Sequence, residues 1–133
     1  MERLRERLEL ANQALRTFRE ALSAPLTPMN RDASIQRFEY THQAVWKAAQ
    51  LYLRTVEKLE LASPAAVTRA CFQTAILNDE QAHIALNMAQ DRNLTVHTYN
   101  EELAIEIYAR LPKYAELMEQ WLAALSAKAG EEA

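Results

Sequence analysis

The chain has 133 residues, 15 Lys and Arg against 18 Asp and Glu, a net charge of −3, and half of its residues hydrophobic. That is one domain with room for a core, and its acidic balance excludes a surface that attracts nucleic acid everywhere, so any nucleic-acid site has to be a local basic patch or one assembled across an oligomer. One Gly and four Pro exclude a turn-rich architecture and indicate an all-α protein, the lone Cys71 excludes an internal disulfide, and no apolar run approaches a membrane span.

The first helix is expected over about residues 2 to 23, where Leu4, Leu8, Ala11, Leu15, Phe18 and Leu22 alternate spacings of four and three and form one seam. Its start, Met1-Glu2-Arg3-Leu4-Arg5-Glu6-Arg7, is charged and helical in period, unlike a signal peptide, which makes the cytoplasm the default location. Ala24-Pro25-Leu26-Thr27-Pro28 ends the helix in a stiff turn. The second and longest helix is expected from about Asp32 to Glu60, with Ile35, Phe38, His42, Val45, Ala49, Tyr52, Val56 and Leu59 inside and Trp46 and Leu53 widening the stripe. His42 on that seam reads as a buried, neutral imidazole satisfied by a neighbour. Arg37 and Glu39 flank the seam, where they either pair with adjacent helices or support a site.

Ser63-Pro64 opens a third helix as N-cap and first residue. Val67, Cys71, Thr74 and Leu77 mark its inner face, and its scarcity of charge predicts that it is buried or covered by a partner. A fourth helix starts at Asn78-Asp79-Glu80, carries Ile84 and Met88 inside, and is expected to end near Arg92-Asn93. The fifth begins around Tyr99 to Glu101, with Thr98 and Glu101 as a capping box, and runs through Ile107, Leu111, Tyr114, Met118, Trp121 and Leu125. Pro112 predicts a kink or break in it, and the tail from Ala129 is expected to fray. The sum is an antiparallel up-and-down bundle of four to five helices, one domain over 1–128 with a short tail at 129–133.

Asp91-Arg92-Asn93-Leu94-Thr95-Val96-His97-Thr98-Tyr99 is the stretch where chemistry-bearing residues crowd together, in what reads as a loop between helices. Arg92 offers a forked cation suited to phosphate, Asn93 a donor and an acceptor, His97 a group that titrates near neutrality, and Tyr99 a phenol. Helix capping accounts for Thr98, Asn100 and Glu101, but not for Arg, Asn, His and Tyr occurring together. Arg-Asn-x3-His-x-Tyr, followed by Asn100-Glu101-Glu102-Leu103-Ala104, resembles the signature of the HEPN superfamily of small helical proteins. More narrowly, it resembles the nucleotidyltransferase substrate-binding proteins, which are paired with a minimal nucleotidyltransferase. Asn30-Arg31-Asp32-Ala33-Ser34-Ile35-Gln36-Arg37-Phe38-Glu39-Tyr40-Thr41, with Val45-Trp46-Lys47, is similar to the second helix of the same family. The chain departs from that pattern at His42-Gln43, where the family more often has an aromatic residue and Glu. The departure removes any role tied to that acid and is expected to leave the Arg92–Tyr99 stretch untouched.

The resemblance implies a HEPN toxin of a toxin–antitoxin pair that cleaves RNA without a metal or other cofactor. His97 would be the general base or acid, Arg92 would stabilise the charged phosphorus oxygens, and Asn93 would orient the phosphate or the ring. It also implies a homodimer in which two motifs meet, and silencing by AMP transfer from the partner nucleotidyltransferase to Tyr99. The chain lacks the Gly-Ser motif and paired aspartates needed to adenylate anything itself. Two other readings stay open: a non-catalytic substrate-binding subunit of that partner, favoured by the acidic balance, and a degenerate oligomerisation bundle. A metal centre is not expected. Glu39-x-x-His42 and Glu80-x-x-His83 are half of a di-iron site, but the third helix has no acid between Pro64 and Leu77, and the first helix's acids lie off its seam.

Overall fold

The three-and-four alternation of apolar residues becomes five helices in the computed structural model, which describes residues 1–98 and 100–132. They are α1 (Glu2–Ser23), α2 (Pro28–Thr55), α3 (Pro64–Gln73), α4 (Asp79–His97) and α5 (Glu101–Glu132). The fold is all-α, with no strand among the described residues. Helices α1, α2 and α5 pack on one another, α4 lies against α2 and α5, and the short α3 packs on α2 and α4.

The predicted seams are the core. Leu4, Leu8, Ala11, Leu15 and Phe18 of α1 are buried, as are Phe38, Val45, Ala49 and Tyr52 of α2 and Ile107 to Leu125 of the α5 seam. Phe38 sits at the centre, its ring 5.6 Å from Tyr114 and 6.0 Å from Phe18. Each such ring removed from water contributes about 1.5–3 kcal/mol, which makes this contact the anchor of the three long helices. Much of the family-like second-helix motif serves that packing. Arg37 Nη1 donates to the Thr17 carbonyl at 2.7 Å, Thr41 Oγ1 to the Ala14 carbonyl at 3.1 Å, and Asn30 Nδ2 to the Pro25 carbonyl at 2.7 Å.

Several boundaries differ from the sequence expectation. Helix α2 starts at Pro28, four residues before Asp32, because Thr27 caps it by accepting from Asn30 N–H. It stops at Thr55 rather than Glu60, where Lys58 turns left-handed (φ 60°) and Leu59 N–H closes back on the Leu53 carbonyl. Ala75 (φ 65°) ends α3 in the same way, with Leu77 N–H bonded to the Cys71 carbonyl. Asn100, not Thr98, caps α5 by accepting from Leu103 N–H. Helix α5 runs unbroken through Pro112, whose exposed ring lies on the outer face while Leu111 and Tyr114 hold the helix to the core. It continues to Glu132, past the Ala129 where fraying is expected. Trp46 and Leu53, which widen the α2 stripe, are buried against the chain's own helices rather than left for a partner. No helix of the described residues is long and apolar enough to cross a membrane.

Candidate functional site

Helix α4 carries the candidate residues, and it is longer than the sequence suggests. Asn78 and Gln81 form a reciprocal capping box at its start. From Asp79 to His97 the sequence has neither Gly nor Pro, so nothing stops the helix at Arg92-Asn93. Arg92, Asn93 and His97 therefore stand on the last two turns of a helix, and the expected loop is absent; Thr98 N–H closes the end on the Leu94 carbonyl at 2.9 Å. Asn93 and His97 are four residues apart and share a face, about 6 Å apart along the axis, with Arg92 beside them. Tyr99 lies outside the described residues.

Asp91 fixes this end of α4. Its buried carboxylate takes Arg110 Nε at 2.8 Å and Arg110 Nη2 at 3.1 Å from α5, and accepts from the Tyr114 hydroxyl. Burial, and then the hydrogen bond to and negative charge of Asp91, push that phenol well above the ordinary tyrosine range, with the Arg110 cation opposing the shift. The clamp also decides the electrostatics next door. With Asp91 committed to α5, Arg92 has no carboxylate partner among the described residues. Its Nη2 donates instead to the amide oxygen of Gln43 at 3.3 Å, and its buried Nε has no hydrogen-bond partner.

Gln43 is where the chain departs from the family pattern, and the departure does reach the site: the acceptor in contact with Arg92 is neutral. The residue before it, His42, is buried as expected but not satisfied by a neighbour, since its Nδ1 has no partner. Desolvation, helped by the Arg92 charge, lowers its pKa to about 4. The His97 side chain is exposed, and its ring makes no hydrogen bond to a described residue. Arg37 is not brought to the site, because its guanidinium is spent on the α1 backbone.

The Gln43–Arg92 contact stands between two depressions of opposite character. One, of about 220 Å³, lies between α2 and the α4–α5 junction and is lined by Asp32, Glu39, Thr95, Thr98 and Asn100 with Ile35 and Leu103. Glu39 belongs here, in a pocket with two carboxylates that repels phosphate. The other, of about 440 Å³, lies between α3 and α4 and is lined by Trp46, Arg69, Gln90, Arg92 and Asn93, with the Ser63–Ala65 turn and Leu86 at its edges. It contains two arginines and no carboxylate. Sequence reasoning missed Arg69 as a site residue; the signal present was its being the sole charge on α3. The two Glu-x-x-His pairs do not converge. His42 is in the core, whereas His83 is exposed with its Nδ1 against the Asp79 carbonyl, and no group of three metal-ligating side chains occurs among the described residues.

The chain matches the model of the family described as nucleotidyltransferase substrate binding protein like over residues 6–127. Among solved structures it is similar to a protein of Thermus thermophilus, at 54% identity and a TM-score of 0.82, covering 86% of this chain and 98% of that one. It also shares its fold with a chain of a mutant of the toxin–antitoxin pair MntA-HpeT, at 15% identity and a TM-score of 0.79, covering 96% of this chain and 99% of that one. No curated protein matches it.

Proposed function

The chain belongs to the family of nucleotidyltransferase substrate-binding-like proteins, and from that membership we propose that it is the HEPN-type toxin of a toxin–antitoxin pair, a metal-independent endoribonuclease. The observation that carries this reading is the arrangement on α4: an exposed His97 one turn from Asn93, beside an Arg92 that no carboxylate of the described residues neutralises. A structural arginine is ordinarily paired; one left with a single neutral acceptor retains its charge for a phosphate.

The chemistry follows from those groups. The ribose 2′-oxygen attacks its own 3′-phosphorus, giving up its proton to an imidazole, and the bond to the 5′-oxygen breaks as that oxygen takes a proton. Arg92 stabilises the negative charge on the non-bridging oxygens, and Asn93 orients the phosphate. One imidazole cannot be base and acid at the same moment, which favours a homodimer presenting two copies of His97. Leu94 and Val96, 42% and 45% exposed on the same turns, supply apolar surface for a second copy.

In this reading a partner nucleotidyltransferase is the antitoxin. The Tyr99 hydroxyl attacks the α-phosphorus of ATP, pyrophosphate leaves, and the adenylate on Tyr99 sets negative charge and bulk next to His97. The test is RNA cleavage by purified protein in excess chelator, wild type against His97→Ala, with intact mass recorded to exclude adenylated Tyr99. Cleavage that persists in chelator and vanishes in the variant is the expected result. Equal cleavage by both sinks the role of His97. Cleavage by neither, in unmodified dimer, leaves the non-catalytic substrate-binding subunit as the better reading.

A further inference from the structure

Among the depressions on the surface, the one between α3 and α4 departs from the chain's acidic balance. Its lining has Arg69 from α3, Arg92 and Asn93 from α4, Gln90 one turn earlier, Trp46 in the floor, and no Asp or Glu. In a protein of net charge −3 such a lining is a local reversal of sign. Three further features give it direction. Leu86, Gln90 and Asn93 line it at spacings of four and three along α4, and His97 follows at four, so the groove leads up one helix face to the imidazole. Gln43 holds Trp46 Nε1 at 3.2 Å and Arg92 Nη2 at 3.3 Å through one oxygen, which fixes floor and wall together. Arg69 is exposed and pairs with no carboxylate of the described residues.

We propose that this groove is the track for the strand on one side of the cleaved phosphodiester: single-stranded RNA lies along α4 from His97 towards Ser63, with Arg69 holding a flanking phosphate and Gln90 facing the sugar or base edge. The choice of RNA as occupant rests on the nuclease reading above. The track itself rests on the groove's lining. Arg69 is then a binding residue remote from the chemistry, and its removal weakens RNA without touching the reacting atoms. The cavity beside Asp32 and Glu39 cannot serve the same strand, because its carboxylates repel phosphate.

The probe is a short, fluorescein-labelled, single-stranded 2′-O-methyl oligonucleotide, which has no attacking hydroxyl and survives an active nuclease. Its affinity is measured by anisotropy across a salt series for wild type, Arg69→Gln, Gln90→Glu, and Arg7→Gln on the distant α1 as a matched loss of charge. Arg69→Gln is expected to weaken binding about tenfold at low salt and to make the salt dependence shallower by about 0.7 in log–log slope, one phosphate's worth for a single strand. Gln90→Glu weakens binding at least as much, and Arg7→Gln leaves it near wild type. Groove variants that bind like Arg7→Gln overturn the track, even where His97→Ala abolishes cleavage and the nuclease reading stands. Wild type that does not bind the oligonucleotide overturns it too. Weakened binding by both groove variants, in a protein that cleaves nothing, keeps the track and removes the nuclease.

Discussion

The amide oxygen of Gln43 lies 3.3 Å from Nη2 of Arg92 and simultaneously accepts from Trp46 Nε1. A neutral acceptor thus positions the guanidinium without cancelling it, while the nearest carboxylate in sequence, Asp91, is turned to Arg110 and Tyr114. Adjacent residues on α4 have been given opposite tasks: Asp91 fastens the helix to α5, and the half-buried Arg92 leans on Gln43 of α2 with its charge intact.

Replacing the neutral acceptor tests that division. Gln43→Glu keeps an oxygen for Trp46 but sets a carboxylate against a half-buried cation. Stability is expected to rise by about 0.5–1 kcal/mol in urea denaturation. Affinity for the labelled oligonucleotide is expected to fall about tenfold, the cost of one phosphate contact. A variant that binds as tightly as wild type would mean that Arg92 does not meet phosphate.

The fastening on the other side has its own signature. Asp91→Ala removes the acceptor of two Arg110 bonds and of the Tyr114 hydroxyl, and it leaves that hydroxyl buried without a partner. The expected loss is about 2–3 kcal/mol, below that of a fully buried ion pair because Arg110 is 43% exposed. Tyr114→Phe loses one bond and about 1 kcal/mol. Chemical denaturation of both variants checks the order, and equal losses would make the Arg110 bonds energetically idle.

These two residues also show how far the sequence could be read. The helical seams were legible because burial repeats every three or four residues, and Leu4, Phe38, Met88 and Trp121 fell inside as their spacing requires. The family resemblance pointed to Arg92, Asn93 and His97. What stayed hidden depended on contacts between helices. The stretch from Arg92 to His97 reads as a loop by its crowd of polar side chains, although the absence of Gly and Pro from Asp79 to His97 already permits a helix. What the sequence does not show is the Asp91 clamp that holds this end of α4 against α5. Lys58 and Ala75 give no hint of the left-handed turns they adopt, since glycine normally marks such positions. Thr27-Pro28 is legible as a cap and first residue by the same rule as Ser63-Pro64, so the sequence carries that boundary too. The pairing of Gln43 with Arg92, 49 positions apart, had no local signal at all.

Cys71 offers a clean probe of the core around α3. It is fully buried, and burial pushes its thiol up to about 12, so folded protein near neutral pH presents almost no thiolate. Labelling by a disulfide-exchange reagent is expected to be limited by opening of the fold, with native protein unreactive and urea-unfolded protein modified at the rate of a free thiol. Rapid labelling of the native protein would place α3 outside the cooperative unit that α2 and α4 form.

His42 supplies the pH dependence. Its imidazole is neutral in the fold, with a pKa lowered from 6.5 to about 4, chiefly by desolvation and secondarily by Arg92. The unfolded chain therefore binds a proton that the folded chain refuses throughout that window. Stability is whole above the unfolded value and is lost as pH falls from 6.5 towards 4, the contribution of this one group being on the order of 3 kcal/mol. His42→Phe keeps an aromatic ring against Phe38, eliminates the unpartnered Nδ1, and has no proton to refuse. Unfolding free energies measured between about pH 7 and pH 4 should diverge, wild type falling below the variant as acid is added. Curves that run parallel would mean that the buried imidazole finds an acceptor or water in solution and is protonated without unfolding.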